Sequence, residues 1–169
     1  MKRLSISLLV VALGLVFGPL ATNVEAETMN FKLVSMVEKA ERVKVPEVEG
    51  VMIGVLDRKG LSVFDNGEIA TTNCRAIFDT KKGFQGYSSL FFEDGSTLVL
   101  SWKGPTDQSR SEKYWEYGIA VEFVEGTGRF KGIQGSGSYK SKQPLWDDEY
   151  KAQGFTNYEF SGTYTLSSQ

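Results

Sequence analysis

The sequence predicts an all-β protein whose strands form an eight-stranded antiparallel barrel. From residue 30 onward, about eight short stretches with strand-like alternation are separated by turn sequences. After the N-terminal segment, no stretch of about ten residues shows the periodicity of an amphipathic helix. Eight strands in a chain of this length favour a closed barrel, filled with side chains or holding one small ligand. A two-sheet sandwich is the alternative, and a small membrane barrel is disfavoured because several strands carry charge on both faces.

The first 26 residues predict a secretory signal peptide. Two basic residues precede an apolar run over residues 4–20, and a small-x-small sequence leads to Ala26. Cleavage after Ala26 leaves residues 27–169 as a single β-barrel domain, which we expect to be exported, either periplasmic or secreted. Pro19 breaks an apolar run that is already marginal for a span of about 20 residues, so we expect no membrane span in the mature form.

The composition excludes several classes of function. The chain contains no histidine, which removes the commonest general base, the Ser-His and Cys-His nucleophile pairs and most zinc sites. Cys74 is the only cysteine, so no intramolecular disulfide can form, and its strand position favours a small buried side chain. The sequence also lacks the basic stripe that is typical of nucleic-acid-binding proteins. We therefore expect no metal, no cofactor and no nucleic acid, and an enzyme only if carboxylates or tyrosine do the chemistry.

The first half of the chain predicts short strands joined by tight turns. Residues 31–37 alternate, and residues 51–56 are apolar on both faces. Asp57 to Gly60 is a charged, glycine-ended stretch that predicts a turn, and a short strand over residues 61–64 follows. The Asn66-Gly67 pair then predicts a hairpin, because both residues tolerate the positive φ of a tight primed turn.

The remaining strands follow the same pattern. Residues 68–79 alternate cleanly, with one face formed by Ala70, Thr72, Cys74, Ala76 and Phe78. Later strands are predicted at 84–92, 97–102, 114–125 and 157–166, with a hairpin turn at 93–96 and polar loops at 104–113 and 143–154. Because several strands are apolar on both faces, part of the outer barrel surface needs a cover, and we expect a homo-oligomer, either a dimer or a trimer.

A glycine-rich run separates the last two long strands. It carries the pattern Gly-x-Gly-x-Phe-x-Gly-x-x-Gly, formed by Gly126, Gly128, Phe130, Gly132 and Gly135. Glycines at this density permit a tight reversal and close backbone approach, and Phe130 between them can close one end of a barrel. A phosphate-binding loop is excluded because a strand, not a helix N-terminus, follows the run.

This run resembles the signature of the allene oxide cyclase and dirigent protein superfamily. The resemblance covers about the second half of the mature chain and implies a calycin-like, eight-stranded barrel of a bacterial exported relative. The superfamily includes a cyclase acting on an unstable fatty-acid epoxide and dirigent proteins that steer radical coupling. Its catalytic residues cannot be matched position by position here, so we transfer none of them.

Five aromatic residues on predicted strands are candidates for lining a ligand pocket. An aromatic-lined barrel would hold an apolar ligand, and phenol groups would fix its orientation. The alternative is an ordinary core or a subunit interface. The candidates are Trp102, Trp115, Tyr117, Tyr139 and Tyr158.

Acidic residues occur in two places that could carry chemistry. Glu116 and Glu122 share one strand face with small residues and would serve as acid or base if that face pointed inward, although a solvated outer face is favoured. Residues 146–150 include three consecutive carboxylates but lack the ligand spacing of a calcium loop, so an exposed acidic loop is favoured.

These observations predict an exported β-barrel protein that binds or orients a small apolar molecule, without catalysis. A cyclase or isomerase that confines a hydrophobic substrate is one alternative. A structural or interaction protein of the cell envelope, with a filled barrel, is another.

Overall fold

The computed structural model of the protein describes residues 25–105, 107–144 and 155–167. Within these ranges the chain is almost entirely β-structure, with a single 3-10 turn at Gly128–Phe130. The strands are β1 (Glu27–Lys44), β2 (Met52–Phe64), β3 (Ile69–Asp79), β4 (Gly83–Phe92), β5 (Thr97–Gly104), β6 (Gln108–Arg110), β7 (Tyr114–Gly126), β8 (Ile133–Pro144) and β9 (Phe155–Leu166).

Eight of these strands close into an antiparallel barrel. The sheet runs in the order β5-β4-β3-β2-β1-β9-β8-β7, and β5 also pairs with β7, which closes the ring. The short strand β6 continues along β7 beyond the end of β5, pairing Gln108–Arg110 with Tyr117–Trp115. Closure satisfies the strand edges that an open sheet would leave exposed. The predicted fold class is confirmed, and the sandwich alternative is not realised.

Alternation within each strand divides inner from outer side chains. On β3, Ala70, Thr72, Cys74 and Ala76 are buried while the residues between them face outward, as the sequence pattern predicts. The predicted hairpins are also present, and Gly67 (φ 85°) and Gly95 (φ 82°) both adopt the positive φ that the turns require.

One predicted turn is wrong. Residues 57–60 do not reverse the chain but lie in the middle of β2, where Asp57 pairs with Lys39 and Arg75 in the neighbouring strands. The charges that predicted a turn instead follow strand periodicity, so that Lys59 is exposed while Arg58 is buried inside the barrel. Because both neighbouring strands supply hydrogen-bonding partners, this charged segment remains extended.

The loop predicted at 104–113 is partly wrong, because it contains β6. The proposed signal peptide falls largely on residues 1–24, and the acidic residues 146–150 fall in the β8–β9 connection; both lie outside the described ranges.

Phenylalanine rings fill one end of the barrel, here called the closed end. Phe31 stacks on Phe160 with ring centroids 4.6 Å apart and contacts Phe64 at 4.8 Å. Phe92 lies 5.3 Å from Phe64 and 4.9 Å from Phe130, which enters from the 3-10 turn between β7 and β8. This continuous aromatic core leaves the opposite end, the open end, as the place where a ligand could enter.

Candidate functional site

A cavity of about 510 Å³ extends from the open end into the barrel. This volume lies within the range of about 300–1,000 Å³ that is typical of small-molecule sites. Its inner part is bounded by Leu33, Cys74 and Ile119, and its rim by residues such as Met52 and Pro105. The interior is therefore neither completely filled nor fully open: one end is packed and the other is hollow.

All five aromatic residues proposed for a pocket line this cavity. They come from four strands, and each occupies an inward position of the barrel alternation, so closure brings them together. They are Trp102 of β5, Trp115 and Tyr117 of β7, Tyr139 of β8 and Tyr158 of β9. Their role in ligand binding stays a prediction, since what the geometry establishes is their shared location.

The aromatic side chains form a connected wall. Phe84, which the sequence analysis did not single out, contacts Tyr117 with centroids 5.2 Å apart and Trp102 at 6.1 Å, both in edge-on geometry. Tyr139 contacts Tyr158 at 5.6 Å and Phe160 at 5.2 Å, which joins the cavity wall to the closed end. Edge-on contacts between rings favour a rigid lining.

Arg58 lines the cavity but is not among the residues that the sequence pattern predicts for the site. Its side chain enters the barrel from β2, is only 5% exposed and lines the cavity. Nε donates to Ser35 Oγ at 2.9 Å, and one terminal nitrogen donates to the Ser35 carbonyl at 3.1 Å and to the Thr156 hydroxyl. The guanidinium carbon lies 6.0 Å from the centre of the Tyr158 ring. These contacts fix the orientation of a cation inside the barrel.

A signal for Arg58 was present in the sequence. Leu56, Arg58, Ser62 and Phe64 lie two or four residues apart, so a strand continued through residues 57–60 directs all four side chains inward. Interpreting 57–60 as a turn concealed this, because a charged residue in a turn is expected to be solvated.

Small polar groups surround the aromatic wall. The Trp102 indole Nε1 donates to Ser88 Oγ at 2.9 Å, and the Ser88 hydroxyl donates to Cys74 Sγ at 3.2 Å. Burial raises the pKa of the Cys74 thiol, and the Ser88 hydrogen bond and the Arg58 charge only partly oppose it. The thiol is therefore neutral at physiological pH and is not an activated nucleophile.

The phenols of the cavity are also neutral. Burial raises the pKa of Tyr117, Tyr139 and Tyr158, and the nearby Arg58 guanidinium partly offsets the effect at Tyr117 and Tyr158. Tyr117 donates its hydroxyl to Gln143 Oε1 at 2.7 Å. At neutral pH these three groups can donate hydrogen bonds but do not carry the charge of a general base.

Two buried hydroxyls lack partners. Within the described residues, Tyr139 Oη and Ser141 Oγ make no hydrogen bond. Buried polar atoms are nearly always hydrogen-bonded, so an unpartnered hydroxyl beside a cavity indicates a place for a ligand or solvent atom. Tyr139 lines the cavity directly and is only 2% exposed.

Glu116 and Glu122 do not point into the barrel, which was the condition for either of them to act as an acid or base. Both lie on the outer face of β7, exposed, and Glu116 forms an ion pair with Lys142 at 3.0 Å. The inward positions of β7 belong instead to residues such as Tyr117 and Ile119. Alternation therefore places these two carboxylates on the solvent side of the barrel wall, away from the cavity.

The glycine-rich run lies at the closed end, far along the strands from the cavity rim. Gly128 has φ 58°, and the Arg129 backbone N–H donates to Ser96 Oγ at 3.2 Å. The Arg129 guanidinium pairs with Glu68 and lies 3.3 Å from Asp94. The run thus links the β2–β3, β4–β5 and β7–β8 connections around Phe130, which is a structural role.

The outer surface carries a separate apolar feature. Large apolar side chains are exposed on β1 to β4, and cross-strand pairing brings several of them side by side, as with Val34 and Leu61 or Val63 and Ile69. In the part of the chain that the structure describes, no helix is long and apolar enough to cross a membrane.

Comparison with known proteins identifies the fold. The sequence matches no protein-family model and no curated protein. Among solved structures, the pterocarpan synthase dirigent protein GePTS1 is similar, with a TM-score of 0.50 and 15% sequence identity over 98% of this chain and 98% of that one. At this identity the likeness concerns the fold alone. The predicted resemblance is confirmed at that level: this chain has an eight-stranded barrel fold similar to that of this dirigent protein.

Proposed function

We propose that this protein binds and orients one small apolar ligand in the cavity at the open end, without catalysis of its own. The observation that carries the proposal is the arrangement of the interior. Phenylalanine rings fill one end of the barrel, while the other encloses about 510 Å³ lined by aromatic side chains. A pocket that is largely apolar and contains a few fixed polar groups is the usual form of a small-molecule site.

The chemistry of the lining favours binding over reaction. Tyr117, Tyr139 and Tyr158 are neutral hydrogen-bond donors, and Cys74 is a neutral thiol. Such groups can orient an oxygen-bearing ligand and exclude water. Acid–base catalysis near neutral pH would call for a group whose pKa lies close to that pH.

A cyclase or synthase activity is the second candidate. GePTS1, which shares the fold, is a pterocarpan synthase as well as a dirigent protein. A cavity that confines a reactive apolar molecule could select one product by shape alone. Chiral product analysis of a coupling or cyclisation reaction, run with and without the protein, would detect this activity.

Ligand binding can be tested by filling the cavity. The probes are 2-naphthalenemethanol and decanol, and binding is measured by titration calorimetry. Ala76 lines the cavity on β3, so Ala76→Phe should lower the affinity by about tenfold or more. Ala120→Phe, on the exposed outer face of β7, is the matched control and should leave binding unchanged. Binding by neither probe, or equal binding by both variants, would refute the proposal.

We propose from the N-terminal sequence that the protein is exported. A basic start and an apolar run lead to Ala26, and β1 begins at the next residue, Glu27. Cleavage after Ala26 would therefore leave the barrel intact. Intact-mass measurement of protein recovered from the medium or periplasm should show loss of residues 1–26, whereas a full-length mass would contradict the proposal.

We propose that the protein forms a homo-oligomer through its outer apolar face. The exposed side chains of β1 to β4 would be covered if two or three copies associated there. Light scattering should give a dimer or trimer, and Leu61→Glu should shift it to the monomer. A monomeric wild-type protein would contradict this.

A further inference from the structure

We propose that the ligand is an aromatic organic acid whose carboxylate lies against the Arg58 guanidinium at the inner end of the cavity. This inference rests on the proposed function and specifies the chemistry of the ligand. It assigns Arg58 as the anion-binding residue, Tyr139 as a second donor, and the aromatic wall as the contact for the apolar body.

Arg58 is a buried cation without an acidic partner among the described residues. No carboxylate of the described residues forms an ion pair with it, although its side chain is 5% exposed. Neighbouring Asp57 points away and lies 3.8 Å from Arg75. A buried cation is usually paired, because removal from water is costly and a nearby anion offsets that cost. The barrel contains the cation, and the cavity beside it has room for the anion.

The Arg58 guanidinium uses only part of its donors within the described residues. Ser35 and Thr156 accept from Nε and one terminal nitrogen. The other terminal nitrogen donates to no atom of the described residues, and the side chain lines the cavity. Planar N–H groups of arginine match a carboxylate in geometry. Tyr139 lines the same cavity, and its buried hydroxyl has no partner among the described residues.

The cavity lining also carries positive charge. Arg58 and Arg110 line the cavity, and Asp79 is the one carboxylate among its described lining residues. Asp79 already accepts from the backbone N–H groups of Lys81 and Lys82, which reduces its repulsion of an incoming anion. An excess of positive charge in a low-dielectric cleft attracts anions, even though the whole chain has a net charge of −2.

Aromatic rings line the cavity where the body of the ligand would lie. Between the rim and Arg58 the cavity passes the rings of Trp115, Tyr117, Phe84 and Trp102. Planar rings pack on such walls by stacked and edge-on contacts, which favours an aromatic skeleton over a flexible chain.

The test compares ligands that differ only in the head group. Titration calorimetry at neutral pH would use 2-naphthoate, 2-naphthalenemethanol and 2-naphthylmethylammonium, with decanoate as an aliphatic acid of different shape. We expect 2-naphthoate to bind about 10- to 100-fold more tightly than the alcohol, the size of effect that charge-assisted hydrogen bonds produce. The ammonium compound should bind most weakly, and decanoate more weakly than 2-naphthoate.

Two variants connect the preference to Arg58. Arg58→Met should reduce the preference for naphthoate over the alcohol to about twofold or less, while Arg58→Lys, which keeps the charge, should retain part of it. Arg75→Met is the matched control, because Arg75 lies on the outer face of β3 with an exposed side chain. Circular dichroism would verify that each variant is folded. If Arg58→Met does not fold, the wild-type head-group series and Arg58→Lys decide the question.

The possible results distinguish this inference from the proposed ligand-binding function on which it rests. A naphthoate preference that depends on position 58 supports the inference. Equal binding of acid and alcohol by the wild type, or a preference that survives Arg58→Met, overturns it while leaving apolar ligand binding intact. Tighter binding of decanoate than naphthoate overturns the aromatic part alone. No binding of any probe overturns both proposals.

Discussion

The two ends of this barrel are made from the same strands but differ in what fills them. Along β4, the inward side chains Leu90 and Phe92 occupy the closed end, whereas Gly86 and Ser88 lie toward the cavity. A Cβ at Gly86 would fall 2.8 Å from the Trp102 ring, so glycine leaves room for that indole in the wall. The comparison teaches that strand pairing fixes the barrel, while the volume of each inward residue decides which part is solid and which is hollow.

Polar groups follow the same division. At the closed end, Asp94 accepts from the Ser96 backbone and side chain, and Arg129 pairs with carboxylates at the surface. Around the cavity, Arg58 has no acidic partner in the described residues and Tyr139 has no hydrogen-bond partner there. Among the described residues, these two groups without such partners both line the cavity.

The largest effect is expected from Phe130→Ala, which removes the ring that closes the packed end. The side chain is buried and contacts Phe92, so its loss should lower the free energy of unfolding by about 3 kcal/mol. Urea denaturation measures this, and naphthalenemethanol affinity at the other end should be unchanged. A loss below about 1 kcal/mol would show that this end is not tightly packed.

A smaller loss is expected from Gly135→Ala in β8. Gly135 has φ 146°, and a Cβ there would overlap the Thr163 carbonyl oxygen. The combined strain and overlap should cost about 2 kcal/mol. Gly67→Ala is the control, because it also has positive φ but open space around the added carbon, and it should cost about 1 kcal/mol in the same urea assay. Equal losses would mean that close approach at Gly135 does not matter.

A gain is expected from Tyr139→Phe at the cavity. Because the hydroxyl is buried without a partner in the described residues, its removal should raise the free energy of unfolding by about 1 kcal/mol. Thermal and urea unfolding would measure it in the absence of ligand. A clear loss of stability would contradict this and indicate that solvent already satisfies the hydroxyl.

The smallest effect is the loss, at acid pH, of the stability that Asp94 contributes at the closed end. The hydrogen bond from the Ser96 backbone, followed by that from the Ser96 hydroxyl and by the positive charge of Arg129, lowers the pKa of Asp94 from its usual 3.8. A carboxyl with a lowered folded-state pKa stabilises the protein above its usual value, and this contribution disappears as pH falls through the lowered value. Asp94→Asn should therefore be slightly less stable than the wild type at pH 7, and the difference should vanish in the acid range. A difference that stays constant with pH would argue against this assignment.

Sequence reasoning reached the fold because the signals for it are local. Alternation at residues 69–79 and the Asn66-Gly67 pair specify a strand and a hairpin without knowledge of their neighbours. The five aromatic candidates could be named from their strand positions and side-chain type, but the sequence does not say which face of each strand points inward. Their convergence on one cavity could not be predicted, since it depends on barrel closure through the β5–β7 pairing.

Arg58 shows why part of the site escaped prediction. A charge in a strand interior is rare, so the surrounding charged residues favoured a turn. What keeps Arg58 inside is a set of partners from distant positions, Ser35 on β1 and Thr156 on β9, that only the closed barrel brings together. Inward-facing charge is the feature that local patterns predict least well.

The central claim, that the open end holds the ligand and the closed end does not, is tested most directly by locating a bound heavy atom. Crystals soaked with 6-bromo-2-naphthoate would be measured at the bromine absorption edge. We expect one anomalous peak inside the barrel between Trp102 and Tyr117, with the carboxylate directed toward Arg58. A peak on the exposed apolar face of β1 to β4, or an interior that stays closed around its own side chains, would contradict the account.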